Sequence, residues 1–167
     1  MADRAAPGVV ELCLVRHAHA GDSATWEGPD ELRPLTEKGR RQAERLGRHL
    51  AAIGFVPDAV ITSPLVRARE TAEIVAGLVG VPVRVDERLG EALDLATVER
   101  ILDDAGSPRR PILVGHDPDF TGLLTELTGG APIVMRKGAL ARVDAERPLE
   151  PGGGDLRWLL PPELLRA

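Results

Sequence analysis

The stretch "LCLVRHAHAGDS", residues 12–23, runs from an apolar segment directly into an arginine and two histidines. Its apolar part belongs to the run "VVELCLV" at 9–15, which has the length and β-branched content of a buried strand. Arginine is rarely buried without a partner. Arg16 and His17, placed at the end of such a strand, therefore require either a structural counter-ion or an anionic ligand.

Further short apolar runs, bounded by Gly, Pro or charged residues, predict five more strands. They are "AVIT" (59–62), "VPVRV" (81–85), "PILV" (111–114), "ALARV" (139–143) and "LRWLL" (156–160). Helical spacing of apolar residues between these runs predicts helices within 35–54, 63–80, 96–105 and 117–130.

Capping residues mark the ends of these helices. Thr36, Ser63 and Asp117 are predicted N-caps, and Pro64 suits the first helical position after Ser63. Gly54 suits the C-terminal stop of the first helix.

Alternating strands and helices predict a three-layer α/β/α sandwich with a mostly parallel, mixed central sheet. The last two strands lack a helix between them and are joined by the polar loop "DAERPLEPGGGD" at 144–155, so we expect them to form a hairpin. The chain of 167 residues has the size of one domain, which we expect to span 1–167.

Composition excludes several classes of protein. A net charge of -5 and a pI near 5.4 argue against nucleic-acid binding. Cys13 is the single cysteine, so no intrachain disulfide forms, and its place in an apolar strand indicates a small buried hydrophobe. With neither a signal-peptide run nor a membrane span in the sequence, we expect a cytoplasmic monomer, and the arginine-rich composition suggests a bacterial source.

The unusual polar residues each follow a predicted strand. Arg16 and His17 follow the first strand, Ser63 and Arg67 in "TSPLVRARET" follow the second, and His116 in "VGHDP" follows the fourth. Ligands of open α/β sheets gather outside the carboxyl ends of the strands, so we expect these residues to converge there. Helix N-termini at two of these turns also favour an anion.

Two arginines and two histidines at one edge suit a compact polyanion, most simply a phosphoryl group. The guanidinium fork matches phosphate oxygens and stays charged at any working pH. A neutral imidazole, by contrast, is a nucleophile that could accept the phosphoryl group covalently.

Four segments, in this order and spacing, resemble the histidine phosphatase superfamily, whose hallmark is an RHG-type motif after the first strand. They are "VRHAHA" (15–20), "RPLTEKGRRQA" (33–43), "SPLVRARET" (63–71) and "VGHDP" (114–118). The resemblance spans nearly the whole chain. Its short length, and the alanine that follows "RH", bring it nearest to the SixA-like phosphohistidine phosphatases.

The resemblance implies a role for each matching residue. His17 would be the phosphoryl acceptor, Arg16 and Arg67 the phosphate clamps, and His116 a second histidine on the phosphate. It implies a phosphatase that needs no metal and no cofactor. A metal site built from His17, His19 and His116 is disfavoured, because the adjacent arginines would repel a cation.

The general acid is the least determined part of the predicted site. Larger members of the superfamily use a carboxyl group that follows the third strand, where "VDERLGEALD" offers Glu87, Glu91 and Asp94. We select Glu91. Asp22 and Glu27, in the loop "GDSATWEGPDEL", are rival carboxylates.

Other residues are candidates for contacts with the substrate. Ser63 lies at the start of the second motif, and His19 lies two residues beyond the predicted nucleophile, where it could touch substrate or be solvated. Arg33 and Lys137 could extend the positive rim of the site.

Between Glu91 and Pro111 there is room for only one short helix, where mutase-like relatives carry an insertion that forms a lid. An uncovered site suits a phosphate displayed on a protein, and we predict phosphohistidine in a protein as the substrate. Two alternatives stay open: a phosphatase of small sugar or nucleotide phosphates, and a phosphoprotein-binding module without turnover.

Overall fold

The computed structural model describes residues 8–165. Within this range, strands and helices alternate as far as the fourth helix, and two strands follow it. The strands are β1 (Val9–Arg16), β2 (Ala59–Thr62), β3 (Val83–Val85), β4 (Pro111–Gly115), β5 (Leu140–Glu146) and β6 (Gly154–Leu160). The α-helices are α1 (Glu37–Ala52), α2 (Val66–Val79), α3 (Leu95–Asp104) and α4 (Asp119–Thr128). Short 3₁₀ helices cover Asp30–Leu32, Glu87–Gly90 and Pro162–Leu164.

The strands form one sheet in the order β3-β2-β4-β1-β5-β6. The first four strands in this order are parallel, because a helix returns the chain to the same edge before each new strand. β5 runs antiparallel to β1, and β6 pairs antiparallel with β5 as the predicted hairpin. The mostly parallel, mixed sheet is therefore confirmed.

Helices cover both faces of the sheet, as the alternation of side chains along β1 requires. Leu12 and Leu14 pack in the cluster that contains the apolar faces of α3 and α4. Cys13 and Val15 point the other way, into the cluster that contains α1 and α2. The result is the predicted three-layer arrangement.

The first helix begins and ends as its sequence predicts. The Thr36 hydroxyl accepts the Gly39 N–H at 3.1 Å, and Gly54 adopts a left-handed φ of 69° just after the helix. These contacts satisfy backbone groups that the helix itself leaves unpaired.

The prediction that Ser63 caps α2, with Pro64 at the first helical position, is wrong. The helix begins two residues later, at Val66, with Leu65 as its N-cap. The Ser63 N–H donates to Val114 O at 2.9 Å and so extends the pairing of β2 with β4. Its hydroxyl accepts the Leu65 N–H at 3.3 Å, which makes a turn instead of a cap.

Asp117 is also not an N-cap, because α4 begins at Asp119 after Pro118. Its carboxylate nevertheless accepts the Thr121 N–H at 3.0 Å and the Thr121 hydroxyl at 2.8 Å. Asp117 thus satisfies a first-turn donor from outside the cap position.

Cys13 is a buried part of the core, as predicted. It has no exposed surface, and burial raises the pKa of its thiol to about 12. The thiol is therefore protonated and unreactive at physiological pH. Among residues 8–165, no helix is long and apolar enough to cross a membrane.

A buried group of charges lies in the middle of the sheet, across β1 and β5. Arg142 donates from Nε and Nη2 to the two carboxylate oxygens of Asp144, at 2.8 and 2.9 Å. Glu11 of β1 pairs with Arg110, and its other oxygen lies 3.7 Å from Arg142 Nη2. The Arg142 guanidinium also lies 4.8 Å from the centre of the Trp158 ring. These arginines are held by carboxylates and an aromatic ring within the fold.

Candidate active site

Strand register brings the three predicted motifs together. β1 lies beside β4, and Arg16 pairs with Gly115, so His17 and His116 follow directly from paired positions. The His17 N–H donates to Gly115 O at 2.9 Å. β2 lies on the other side of β4 and ends at Thr62, and the next residue, Ser63, is bonded to Val114. Because neighbouring strands are about 4.8 Å apart, the three turns share one small region.

His17 is buried, with 5% of its surface exposed, and its ring is held in one orientation. Nδ1 lies 2.8 Å from Ala18 O, a carbonyl oxygen that can only accept, so Nδ1 carries the proton. Nε2 is then the bare nitrogen with the lone pair. Burial lowers the pKa of His17 to about 3, and the charges of Arg67, Arg16 and Lys137 contribute. The ring is therefore neutral at physiological pH.

Arg16 is anchored through one end of its guanidinium. Nη1 donates to Met135 O at 2.7 Å and lies 3.1 Å from the Asp117 carboxylate. Its Nε is buried and has no hydrogen-bond partner within residues 8–165. The anchoring through Nη1 leaves the buried Nε–H donor available to a group outside this part of the chain.

Arg67 repeats this arrangement from α2. It is 7% exposed, and its Nη1 and Nη2 donate to Asp30 O at 2.8 Å and to Asp30 Oδ2 at 3.1 Å. Arg33 donates to the other carboxylate oxygen of Asp30 at 2.9 Å. The Arg67 Nε is buried and, among the described residues, has no partner.

His116 completes the set. Its Nε2 lies 3.3 Å from the Asp119 carboxylate, while its Nδ1 is buried without a partner in the described chain. Across residues 8–165, the buried side-chain nitrogen and oxygen atoms without a partner are Arg16 Nε, Arg67 Nε and His116 Nδ1. Buried polar atoms are nearly always hydrogen-bonded, so three exceptions on the predicted site residues indicate a place for a ligand, and the two guanidinium donors suit an anion.

Beside this group lies a cavity of about 380 Å³, lined by His19, Gly21, Asp22, Ser23, Arg33 and Lys137. His19 Nδ1 is hydrogen-bonded to the Thr36 hydroxyl at 2.7 Å. Burial lowers the pKa of Lys137, and the charges of Arg16, Arg33 and Arg67 lower it further. The structure thus places Arg33, Lys137 and His19 on one positive rim, next to the predicted phosphate site.

The carboxylates that competed for the role of general acid lie in different settings. Glu91 directly follows the 3₁₀ helix that packs against Pro64; it is exposed, and within residues 8–165 its carboxylate makes no hydrogen bond or ion pair. Asp94 caps α3 by accepting the Thr97 N–H at 2.7 Å, and its bonding to Thr97 lowers its pKa. Asp22 accepts the Ala24 N–H, and Glu87 and Glu27 are exposed. Asp94 is therefore occupied, whereas Glu91, Glu87 and Glu27 are all exposed and have no hydrogen bond or ion pair from their carboxylates within residues 8–165. The choice of Glu91 as general acid stays a prediction.

Sequence analysis did not find the carboxylates that anchor the site. Asp30 holds Arg67 from a loop 37 residues away in the chain, and Asp117 holds Arg16 as well as the first turn of α4. Asp117 adjoins His116, and the need for a counter-ion near Arg16 is a signal for it. No local pattern connects Asp30 with Arg67.

Ser63 lies at the same edge, but its side chain is fully buried and its hydroxyl is engaged with Leu65. It stabilises the turn that leads into α2 and to Arg67.

The segment after His17 is tied to the start of α1. His19 O accepts the Thr36 N–H at 3.0 Å, and the His19 N–H donates to Gln42 Oε1 at 2.9 Å. Gly39 lies so close that a Cβ atom there would be 2.0 Å from His19 O. Helix α1 and the segment that carries His17, the predicted nucleophile, are therefore in direct backbone contact.

Comparison with known proteins agrees with this geometry. Residues 12–104 match the histidine phosphatase superfamily (branch 1). An uncharacterised protein of Picosynechococcus is 33% identical over 150 residues, which are 81% of this chain and 90% of that protein. A 2,3-bisphosphoglycerate-dependent phosphoglycerate mutase of Nitrobacter winogradskyi is 40% identical over 88 residues, 48% of this chain and 41% of the mutase. The chain thus spans less than half the length of that mutase.

Solved structures show the same fold. The protein histidine phosphatase SixA in complex with tungstate superimposes with a TM-score of 0.78 at 25% identity, over 94% of this chain and 100% of SixA. A phosphoserine phosphatase of Entamoeba histolytica gives a TM-score of 0.66 at 16% identity, over 90% of this chain and 96% of the phosphatase.

The match over more than half of the chain, together with the strand-end arrangement, shows that this chain belongs to the histidine phosphatase superfamily. It is a phosphatase, and its fold is of the SixA kind.

Proposed function

We propose that this phosphatase removes the phosphoryl group from phosphohistidine in a protein, through a covalent phosphohistidine on His17. The observation that carries the proposal is the set of three buried, unpartnered nitrogens on Arg16, Arg67 and His116, next to the bare Nε2 of His17. The two arginines provide donors for phosphate oxygens, and His17 provides a nucleophile for phosphorus.

In the first step, the lone pair of His17 Nε2 attacks phosphorus in line, and the bond from phosphorus to the leaving imidazole breaks. The leaving nitrogen keeps the bonding electrons and takes up a proton. In the second step, water attacks phosphorus, the bond to Nε2 breaks and inorganic phosphate departs. His17 returns to its neutral state with the proton still on Nδ1, where Ala18 O accepts it.

The arginines serve both steps. Nε of Arg16 and Nε of Arg67 would donate to equatorial oxygens, while Asp117 and Asp30 fix the other ends of the guanidinium groups. Asp119 would orient the His116 ring by accepting from Nε2, and Nδ1 would then donate to a phosphate oxygen when the ring carries both protons. Since positioning and electrostatics dominate phosphoryl transfer, these residues supply the charge neutralisation without a metal.

The exposure of the site favours a substrate carried on a protein. Between Glu91 and Pro111 the chain forms only α3, and the loop residues 22–32 are all exposed. No inserted helix within the described residues closes over the phosphate site. A single domain, a monomer, a bacterial cytoplasm and the lack of a nucleic-acid partner are predictions from the sequence.

The chemistry of the leaving group distinguishes phosphohistidine from alkyl phosphate esters as a substrate. An alkoxide leaves with difficulty and needs a general acid, whereas imidazole has a pKa near ~6.5 and can leave already protonated. We expect Glu91→Gln to lower kcat/KM on alkyl phosphate esters by ~10²-fold, and on a phosphohistidine protein by much less. Equal losses on both substrates would contradict this argument.

A phosphatase of small anionic monoesters is the second candidate. It is favoured by the cavity of about 380 Å³ with Arg33 and Lys137 in its wall, which could hold the leaving group of such an ester.

The test compares kcat/KM for a peptide phosphorylated on a single histidine with kcat/KM for sugar and nucleotide monophosphates. We expect the phosphohistidine peptide to be preferred, and rapid quenching to trap an acid-labile, base-stable phosphoenzyme that is absent from His17→Ala. A clear preference for a small monoester would favour the second candidate. Failure to trap the adduct, with activity retained in His17→Ala, would exclude the covalent route.

A further inference from the structure

A second cavity, of about 500 Å³, lies along one face of α1 and is separate from the phosphate site. We call it the α1 groove. It is lined by Lys38, Arg41, Gln42, Arg45, Arg136, Pro162 and Glu163. Its four residues from α1 recur at i, i+3, i+4 and i+7, the spacing that puts side chains on one face of a helix. The groove is therefore lined on one side by a polar stripe of α1.

The charge of the α1 groove is opposite to that of the whole chain. Four of its lining residues are cations and one is an acid, although the net charge of the protein is -5. Arg41 is paired with Glu37, and Arg136 lies 3.1 Å from Glu163. Within residues 8–165, Lys38 and Arg45 have no ion-pair partner. The groove thus keeps an excess of positive charge at the surface.

The α1 groove adjoins the catalytic edge. Gln42, in its wall, accepts the His19 N–H at 2.9 Å, and His19 lines the cavity next to the phosphate site. Arg136 in the groove is followed by Lys137 on the rim of that cavity. A positively charged surface therefore continues from the phosphate site on to the outer face of α1.

We propose that the α1 groove docks an acidic protein surface that surrounds the phosphorylated histidine of the substrate. This inference rests on the proposed function and adds to it the chemistry by which the substrate is recognised. Attraction between opposite charges raises the rate of encounter and fixes the orientation of a partner. Arg41 and Arg45 line the α1 groove and not the cavity beside the phosphate site, so a small phosphate ester is not expected to depend on them.

The probes are two peptides of equal length, one rich in glutamate and one rich in lysine around a single histidine. Phosphoramidate phosphorylates that histidine for kinetic assays. The unphosphorylated, fluorescently labelled forms report binding by anisotropy, which does not depend on catalysis. An aryl phosphate reports on the phosphate site alone.

The test variant is Arg41→Glu/Arg45→Glu. Its matched control is Arg84→Glu/Arg100→Glu, which makes the same change of charge at exposed residues on β3 and α3. We expect the test variant to lower kcat/KM on the acidic phosphopeptide by ~10-fold or more at low salt, mainly through KM, with the loss shrinking at high salt. Aryl phosphate turnover should change by less than about twofold, since such charges are screened beyond ~8 Å at physiological salt. The control should resemble wild type on every substrate.

Equal binding of the two labelled peptides by wild type, or equal binding of the acidic peptide by wild type and the test variant, would overturn the docking proposal. So would tighter binding of a single-stranded oligonucleotide than of the acidic peptide, if the same variant abolished it. Turnover of aryl phosphate without turnover of either phosphopeptide would instead refute the proposed substrate, while the anisotropy result would still decide whether the groove binds acidic chains.

Discussion

Arg67 and Arg142 are both almost wholly buried, yet the protein uses them in different ways. Arg142 gives two donors to Asp144, lies near Glu11 and stacks on Trp158. Arg67 has one carboxylate partner, Asp30, and a buried Nε with no partner among the described residues. Burial lowers the pKa of both groups, but the carboxylates around Arg142 outweigh it and raise the pKa of Arg142, whereas the pKa of Arg67 stays lowered.

The difference indicates that Arg67, and not Arg142, is the buried arginine with a donor available to a ligand. A charge inside a protein needs compensation, and Arg142 receives it from the fold. The phosphate site combines Arg16, Arg67 and Lys137, whose charges all act on His17, and it leaves donors open. Burial of an arginine therefore does not indicate function, but an unused donor on a buried arginine does.

The largest expected effect is the loss of catalysis when His17 is replaced. His17→Ala should lower turnover by at least ~10³-fold, as the loss of a covalent nucleophile generally does, because no other side chain replaces Nε2. Steady-state kinetics gives the loss, and thermal unfolding should show that the variant is folded. Substantial activity in a folded His17→Ala variant would contradict the assignment of the nucleophile.

Arg142, which is bonded to carboxylates within the fold, should matter for stability and not for catalysis. Arg142→Ala removes the buried guanidinium that binds both carboxylate oxygens of Asp144 and lies near Glu11, and we expect it to cost about 3–5 kcal/mol of unfolding free energy. Urea denaturation measures this cost. Arg67→Ala, examined in the same way, should lose much less stability. A reversed order of the two variants would break the comparison.

The affinity for phosphate analogues should depend on the unpartnered Nε donors of Arg16 and Arg67. Arg67→Ala and Arg16→Ala should each weaken inhibition by vanadate or tungstate by about 10- to 100-fold, the scale of a charged hydrogen bond. Arg48→Ala, on the surface of α1, should leave inhibition unchanged. Inhibition constants equal in all three variants would mean that general positive charge, and not the two donors, binds the anion.

The smallest expected effect is that the ring of His17 does not titrate near neutral pH. Because burial lowers the pKa of His17 to about 3, its ring should stay neutral, with the proton on Nδ1, across the range of about pH 5 to 8 where a free histidine titrates. Nitrogen NMR of the ring in the ligand-free protein measures this directly.

The lowered pKa of His17 also makes the stability of the folded protein depend on pH. Below the ordinary histidine pKa of 6.5, the unfolded chain binds a proton that the folded ring does not. The contribution of neutral His17 is complete above that pH and decreases as the pH falls towards about 3. A His17 ring that titrates near neutral pH in the folded protein would contradict both statements.

Much of this arrangement could be predicted from the sequence, because its cause is local. Short apolar runs set the strands, and polar residues directly after them set the catalytic edge, so Arg16, His17 and His116 were placed by chain position alone. Ser63 was mistaken for a cap because the local preference for Ser-Pro at a helix start is outweighed by its backbone pairing with Val114. That pairing depends on a strand from elsewhere in the chain.

The anchors of the site were harder to predict. Asp30 meets Arg67 only because the loop before α1 folds back over α2, and sequence spacing holds no record of that contact. Among the carboxylates considered for the general acid, Asp94 is occupied by Thr97, whereas Glu91, Glu87 and Glu27 are all exposed, so the choice of Glu91 stays a prediction. Pairings of this kind are properties of the tertiary structure.

Because Gly39 has no Cβ atom, the segment that carries His17 can pack closely against helix α1 at His19. Any side chain at position 39 would enter the space of His19 O, two residues from His17, and would push the segment out of place. In a saturation mutagenesis library selected for phosphatase activity, position 39 should tolerate substitution as poorly as the nucleophile itself. Tolerance maps would then mark Gly39 as essential, although it lies outside the chemistry.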